Sequence, residues 1–514
     1  MRTTRLNRAP ADSHFRQKPR RRRESEKHWE SPLVRTLELS GLHPIDLLNK
    51  GKWKEAFFLL DGSAGGWFDG QYSLFGGSPF ARFRSKGGES HFTTLNKDKN
   101  QATSSSSSPL IHLQRWLDRF QPSGEADRPC SEIPFLDGGV VGFFSYDLVR
   151  QFEAIPLPAG EDPKLPDIDL LFLNLFVIFD HKQDHLHIIY NPAPEILLGE
   201  TREKVFREAQ KKIDSICEDI TGPTRQDRLE NFSFPQEGRT DCSPERYMEM
   251  VRKAKAYISA GDIFQANLSH RVSFQAPQTS LFEIYRRLWQ INPSPFSAYL
   301  DMGNIQIASA SPERLIRVRK SLQGDIVETR PIAGTRPRGL NPLQDERMIK
   351  ALYGSEKERA EHLMLIDLER NDLGKICRYG SVSVDAMMTL EKYSHVLHLV
   401  SNITGTLLPG TTPLEALQAL FPGGTITGVP KIRCMEIIAE LEKCARGIYT
   451  GAIGYIGFGG EMDLNIAIRT WVRTDDQLSM QVGAGIVADS IPEREYQETL
   501  QKAAALIRAL RPIG

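Results

Sequence analysis

The chain has 514 residues, of which 40% are hydrophobic and 25% charged, values expected of a soluble globular protein with two domains or one large composite domain. Its 65 basic and 65 acidic residues cancel, so no global field draws it to nucleic acid or to an anionic membrane. No run of about eighteen apolar residues suggests a membrane span, and six scattered cysteines without a CxxC pair argue against zinc or a disulfide framework and for reduced thiols in a cytoplasmic protein.

Residues 1–30 are basic and polar, with Arg20 to Arg23 in a row, and read as a disordered tail. Residues 31–220 form a first region of short apolar runs between turn signals. Within it the polar stretch Ser85 to Pro109, with five serines from Ser104 to Ser108, reads as a mobile surface loop. Gly138 to Glu153 is β-rich, and Asp167 to His181 reads as one long apolar strand. A linker rich in Gly, Pro and charge runs from Thr221 to Asp241 and leads into a second region, 241–512.

Ser243-Pro244 starts a helix that Gly261 ends. Strand-like runs follow at 263–274, 296–311 and 314–320, then a helix from Ser355 to Leu373. Three alternating segments come next, at 449–460, 462–473 and 478–490, and a last helix covers Ile491 to Leu510. Mixed helices and mostly antiparallel strands define an α+β fold.

Two helix starts carry paired acids. Ser355-x-x-Glu358 and Ser490-x-x-Glu493 both match the capping-box pattern. Glu358 and Glu361 share one helical face, as do Glu495 and Glu498, and two such pairs could converge on a hard divalent ion such as magnesium. By spacing alone, two solvated acidic helix starts are the simpler reading. Gly-rich segments occur at Phe421 to Lys431, which includes Thr425, and at Gly483-Ala484-Gly485, just after a strand; either could admit an anion or be only a tight turn. Arg469 lies in an otherwise apolar strand and needs a carboxylate partner if buried. His398 is flanked by apolar residues, the usual setting of a core histidine.

Taken together, the segments SASPERLI, ETRPIAGTRPRG, AEHLMLIDLERNDLG, YSHVLHLVSNITGTL, FPGGTITGVPKIRCMEIIAELE, GAIGYIGFGG, NIAIRT and GAGIVADSIPEREYQET resemble, in this order, the chorismate-utilising enzymes. The resemblance is strong over Ser243 to Leu510 and weaker over Pro32 to Asp180. It implies two mostly antiparallel sheets packed as a sandwich with helices outside. It also implies that Glu361 and Glu498 ligate Mg²⁺, with Glu358 and Glu495 helping through water. By the same resemblance Gly483, Ala484 and Gly485 contact a substrate carboxylate, and Arg469 and Tyr449 hold the enolpyruvyl carboxylate. Thr425 lines the pocket, His398 sits near the leaving hydroxyl, and Glu313 is the acid that protonates it. Lys431 and Lys502 are further contacts.

Within the family, isochorismate and salicylate synthases place a Lys base where this chain has Gln265, so the ammonia-using branch is implied. Gln265 to Ser269 (QANLS), Gly423, and Phe57 to Trp67 in place of the tryptophan-feedback LLES element resemble component I of aminodeoxychorismate synthase. Ala333 points the other way: many such synthases carry a nucleophilic Lys there, and anthranilate synthases carry Ala. None of the cysteines lies in a Gly-rich nucleophile turn, so ammonia is expected from solution or from a separate glutamine amidotransferase subunit.

Overall fold

The computed structural model describes residues 32–511 except 40, 51–55, 96–101, 107, 122–136, 157–164, 223–237, 277–278 and 394–395. The N-terminal tail and most of the linker therefore lie outside the described residues. Two large sheets, each antiparallel throughout the described pairings, make up the centre. The first runs from Leu33–Glu38 through His185–Tyr190, Leu175–Asp180, Tyr72–Gly77 and Phe57–Asp61, then Phe296–Asp301, Ile305–Ser311, Thr470–Thr474, Gln477–Ile486 and Gln265–Gln275. The second runs from Ile332–Pro337 through Val396–Thr406, Ile326–Arg330, Arg314–Arg319, Met462–Ile466 and Ala452–Gly457 into Gly139–Phe144, Ile168–Leu173, Ala81–Lys86, Glu89–Thr94 and Ala102–Ser105. Both sheets take strands from both sequence regions. Phe57–Asp61 pairs with Phe296–Asp301, and Gly139–Phe144 pairs with Ala452–Gly457.

The sheets pack face to face, and helices cover their outer faces. Leu60, Phe176, Ala298 and Ile307 of the first sheet meet Phe143, Leu171, Leu173 and Ile453 of the second. Outside the second sheet lie Leu113 and Leu117 of the helix Pro109–Phe120 and Ile366 of the helix Glu356–Gly374. Outside the first lie Ile213 of Arg202–Thr221, Ile284 of Leu281–Ile291 and Leu506 of Pro492–Ala509. A strand covered on both faces has little polar surface, which is why Ile168–Leu173 is apolar except for Asp169, whose buried carboxylate is held by Arg82 at 2.7 Å. Its Leu170 and Phe172 enter the outer core and its Leu171 and Leu173 the inner one.

Several expectations change. The single strand expected over Asp167 to His181 is two strands that break at Asn174 and join different sheets. The carbonyl of Asn174 accepts from the Asn191 N–H at 2.7 Å, which closes the crossing. Much of the polar stretch Ser85 to Pro109 is not a loop: it completes Ala81–Lys86 and forms Glu89–Thr94 and Ala102–Ser105, satisfying its backbone in the sheet. The helix Pro244–Ala260 forms as expected, with the Ser243 hydroxyl accepting from the Arg246 N–H and Gly261 left-handed at φ +83. Ser355 caps Glu356–Gly374 by accepting from the Glu358 N–H. The second expected box does not form. The helix Pro492–Ala509 is N-capped by Ile491, and the Ser490 hydroxyl accepts instead from the Val487 N–H at 3.0 Å. Among the described residues no helix is long and apolar enough to cross a membrane, and Cys217, Cys242, Cys377, Cys434 and Cys444 are free thiols.

Candidate active site

Glu313 and Arg469 sit where the chain passes from one sheet to the other. Ile305–Ser311 belongs to the first sheet and Arg314–Arg319 to the second; Met462–Ile466 belongs to the second and Thr470–Thr474 to the first. The two crossings are laced together. The Ser311 hydroxyl donates to Ile466 O at 2.6 Å, the Ile466 N–H to Glu313 O at 3.0 Å, and the Ala310 N–H to Arg469 O at 3.0 Å. Next in the chain, buried Arg314 grips Asp463 through Nε and Nη2, both at 2.9 Å, and Glu328 at 2.9 Å. Arg469 is therefore not inside a strand as expected. It occupies the crossing with a left-handed φ of +51, a conformation that costs a non-glycine residue energy and so requires such support.

Glu313 is 5% exposed. Its Oε1 accepts from the Ile332 N–H at 3.2 Å, and Thr425 Oγ1 lies beside the carboxyl short of full hydrogen-bond geometry. Burial pushes Glu313 up to about 7; the Ile332 N–H, Thr425 and Arg469 oppose the rise, and Glu369 adds to it. Arg469 is thus the cation beside this carboxyl, and among the described residues no hydrogen bond holds its guanidinium. His398, on Val396–Thr406, faces Thr335 across the ladder and pairs Nδ1 with the Thr335 hydroxyl at 2.8 Å. Burial, followed by Arg469, lowers it to about 3, so its ring is neutral. Its Nε2 is buried without a partner. Ala333 lies next to Ile332 on the strand that touches Glu313, and its carbonyl meets His362 Nδ1 at 3.2 Å.

Gly483, Ala484 and Gly485 lie within Gln477–Ile486, not after it, opposite Ser269, Leu268 and Asn267. A Cβ at Gly483 would stand 2.8 Å from the Tyr449 hydroxyl and 2.8 Å from Asn267 Oδ1; one at Gly485 would stand 2.8 Å from Gln265 Nε2. Glycine is needed most at Gly483, where a Cβ would also stand 2.6 Å from the Leu268 backbone carbonyl, which cannot swing away. Gln265 Oε1 and Asn267 Oδ1 are both buried without partners. The neighbouring strand Thr470–Thr474 pairs only as far as Met480, leaving the second backbone edge of the glycine segment without a strand partner. Lys502 reaches this segment, donating to Gly483 O at 3.0 Å while pairing with Glu498 at 2.9 Å.

The four helix-borne acids do face one another. Burial raises Glu361; Lys357 opposes it, and Glu358, Glu495 and Glu498 all raise it further. Glu495 is likewise raised by burial, held down by the Ser490 hydroxyl and raised again by Glu498. Three of these acids also pair with a cation: Arg336 lies 2.6 Å from Glu358, Lys357 4.0 Å from Glu361 and Lys502 2.9 Å from Glu498. Among the described residues no three acidic, His or Cys side chains are drawn into a metal-binding arrangement. The donor set nevertheless suits a hard cation: all oxygens, mutually repelling, with Glu358 Oε2 buried and unpartnered.

Lys431 is held within the protein. Its ammonium pairs with buried Asp372 and donates to Leu420 O at 2.8 Å, tying two helices together. Glu369 was not anticipated. It is 3% exposed, beside Glu313, and burial pushes it up to about 7. The signal was present in part: His362, Leu365, Ile366, Glu369, Asp372 and Leu373 form one buried helical stripe, in which Leu365, Ile366 and Leu373 turn the face carrying Glu369 inward. A separate cavity of about 460 Å³, lined by Arg82, Arg84 and Lys86, shares none of these residues.

Comparison with known proteins gives the family. A family profile described as chorismate binding enzyme matches residues 61–508. Anthranilate synthase component 1 of Acetivibrio thermocellus is 38% identical over 478 residues, 92% of this chain and 93% of that protein. Aminodeoxychorismate synthase component 1 of Bacillus subtilis (strain 168) is 40% identical over 455 residues, 88% of this chain and 91% of that protein. The crystal structure of anthranilate synthase component I from Streptococcus pneumoniae TIGR4 superposes with a TM-score of 0.73 at 34% identity, covering 85% of this chain and 92% of that one. With buried Glu313 beside Arg469, a glycine strand beneath Tyr449 and a profile spanning both sheets, the chain belongs to the chorismate-binding enzyme family and is a chorismate-utilising enzyme.

Proposed function

We propose that this chain is component I of an aminodeoxychorismate synthase, converting chorismate and ammonia to 4-amino-4-deoxychorismate and water. The observation that carries the chemistry is Glu313, a carboxyl buried beside Arg469 and pushed by burial up to about 7, so that it can hold a proton well above the usual carboxylate range. A ring hydroxyl is a poor leaving group; a proton from Glu313 lets it depart as water, and ammonia brings the new C–N bond and gives up a proton. Arg469 and Tyr449 hold the enolpyruvyl carboxylate, the guanidinium being the only one of the two that carries charge there. Gly483, Ala484 and Gly485 offer backbone at the open strand edge, and neutral His398 turns its unpartnered Nε2 toward the departing hydroxyl. Gln265, an amide, cannot activate water, which favours amination over hydroxylation.

Glu361 and Glu498, with Glu358 and Glu495 assisting through water, would hold Mg²⁺, which when bound neutralises the ring carboxylate of the substrate. Ammonia would come from solution or from a glutamine amidotransferase subunit, in keeping with the "component 1" names of the relatives.

The branch rests on the resemblances at QANLS, Gly423 and Phe57 to Trp67. QANLS resembles the aminodeoxychorismate branch, and the Asn267 amide stands beside Gly483 with its oxygen unpartnered. Ala333 supports a second reading, anthranilate synthase component I, in which amination is followed by loss of pyruvate. The test is chorismate consumption with Mg²⁺ and ammonium salt at mildly alkaline pH, with product masses recorded with and without an aminodeoxychorismate lyase. A lyase-dependent aminobenzoate is the expected result. Fluorescent anthranilate formed without the lyase selects the second reading, and no consumption at all means a family member that binds chorismate without turnover.

A further inference from the structure

Glu369 and Glu313 are tied to the same two segments of chain. Glu313 takes the Ile332 N–H and lies beside Thr425; Glu369 takes the Gly424 N–H at 3.3 Å and lies beside Thr329. The turn at Gly423 to Thr425 is thus clamped between a carboxyl from the helix Glu356–Gly374 and one from the sheet crossing. The clamp is tight: a Cβ on Gly424 would stand 2.4 Å from Leu368 Cδ2 and 3.1 Å from Glu369 Oε1. The second oxygen of Glu369 is buried and has no hydrogen-bond partner. A carboxylate stranded in this way is costly, whereas a shared or retained proton removes the cost. Lys431 and Asp372 are the charged groups on the far side of Glu369, Arg469 is the one beside Glu313, and neutral His398 adds no charge.

We propose that Glu369 is a positioning residue for the chemistry at Glu313: a second buried carboxyl that holds the Gly423–Thr425 turn against it and, by like-charge proximity, keeps the proton on it. The two groups titrate as a pair, so the first proton lost makes the second harder to remove. The role rests on Glu313 being the proton donor, and the test separates the two claims.

The experiment uses the full chain. Infrared difference spectra against pH follow the Glu313 carboxylic acid band, identified by its loss in Glu313→Gln. In Glu369→Gln, which keeps the acceptor oxygen for Gly424 but cannot ionise, this band should disappear about one pH unit lower. The upper limb of the kcat/KM profile for chorismate should move down with it, about a tenfold loss of the protonated acid above both values. Glu369→Asp, which restores an ionisable group, should recover most of the shift. A folded Glu369→Gln whose Glu313 band and pH profile both stay in place overturns the proposal. If the band moves and the activity limb does not, the coupling stands and Glu313 is not the proton donor. Should Gln at 369 not fold, Glu369→Met, close in volume, carries the same test.

Discussion

Two groups of carboxylates lie in this protein, and their surroundings differ more than their chemistry. Glu313 and Glu369 are buried between the sheet crossing and a helix, tied to backbone N–H groups and pushed up to about 7. Glu358, Glu361, Glu495 and Glu498 line two helix starts, with Glu361 and Glu498 30% and 49% exposed and lysines or an arginine close by. Burial favours the neutral acid, which can donate a proton. Four carboxyls crowding one another on facing helices call for a cation between them. One residue type thus supplies an acid in one place and an electrostatic anchor in the other.

Each arm of that contrast can be broken. The largest effect is expected from Glu361→Ala or Glu498→Ala, which should abolish turnover together with any Mg²⁺-induced rise in melting temperature. Near-normal activity at low Mg²⁺ in either variant would remove the anchor from the account. Glu313→Gln should slow chorismate consumption by about 10²–10⁴-fold with the fold intact, the usual worth of a general acid. A loss of less than about tenfold points to another donor. Arg469→Gln should act mainly on KM, raising it about 10–100-fold, the equivalent of one charge-assisted pair; a change confined to kcat would sever it from substrate binding.

The next effect is on stability. Glu313 and Glu369 hold their protons more tightly folded than unfolded, so the folded state is favoured at low pH and loses that advantage as pH rises from about 4.3 to about 7. The loss should amount to roughly 4 kcal/mol per carboxyl at most, read as a fall in the urea midpoint between about pH 4 and 8. Glu369→Gln should flatten this fall, and an unchanged slope would mean the pair ionises without penalty. The smallest expected effect on fold or rate is from Ala333→Lys. It should yield a covalent substrate adduct by mass or a shifted product ratio, and an unaltered product profile would make the alanine incidental.

Much of the site was legible in the chain because some signals are local. The i, i+3 pairs Glu358/Glu361 and Glu495/Glu498 and the Ser355 cap follow from helix geometry. Glu369 was legible only in part, since the buried stripe it shares with Leu365, Ile366 and Leu373 also carries the polar His362 and Asp372. Other local signals misled. Ser490-x-x-Glu493 has a capping-box spacing, yet the Ser490 hydroxyl serves Val487 and Glu495 instead, since a hydroxyl goes to whichever partner the folded chain brings nearest.

By itself, then, the sequence determined where helices begin, which acids share a face, and which family motifs occur and in what order. Only the tertiary structure decided which sheet each strand joins. The central strands of both sheets are covered on both faces and mostly apolar on both, so alternation there carries no label for the sheet, and nothing in the pattern marks Asn174, Glu313 and Arg469 as crossings. Those crossings lay Glu313 beside Arg469, residues 156 positions apart, and burial there is what separates a proton donor from an ordinary glutamate.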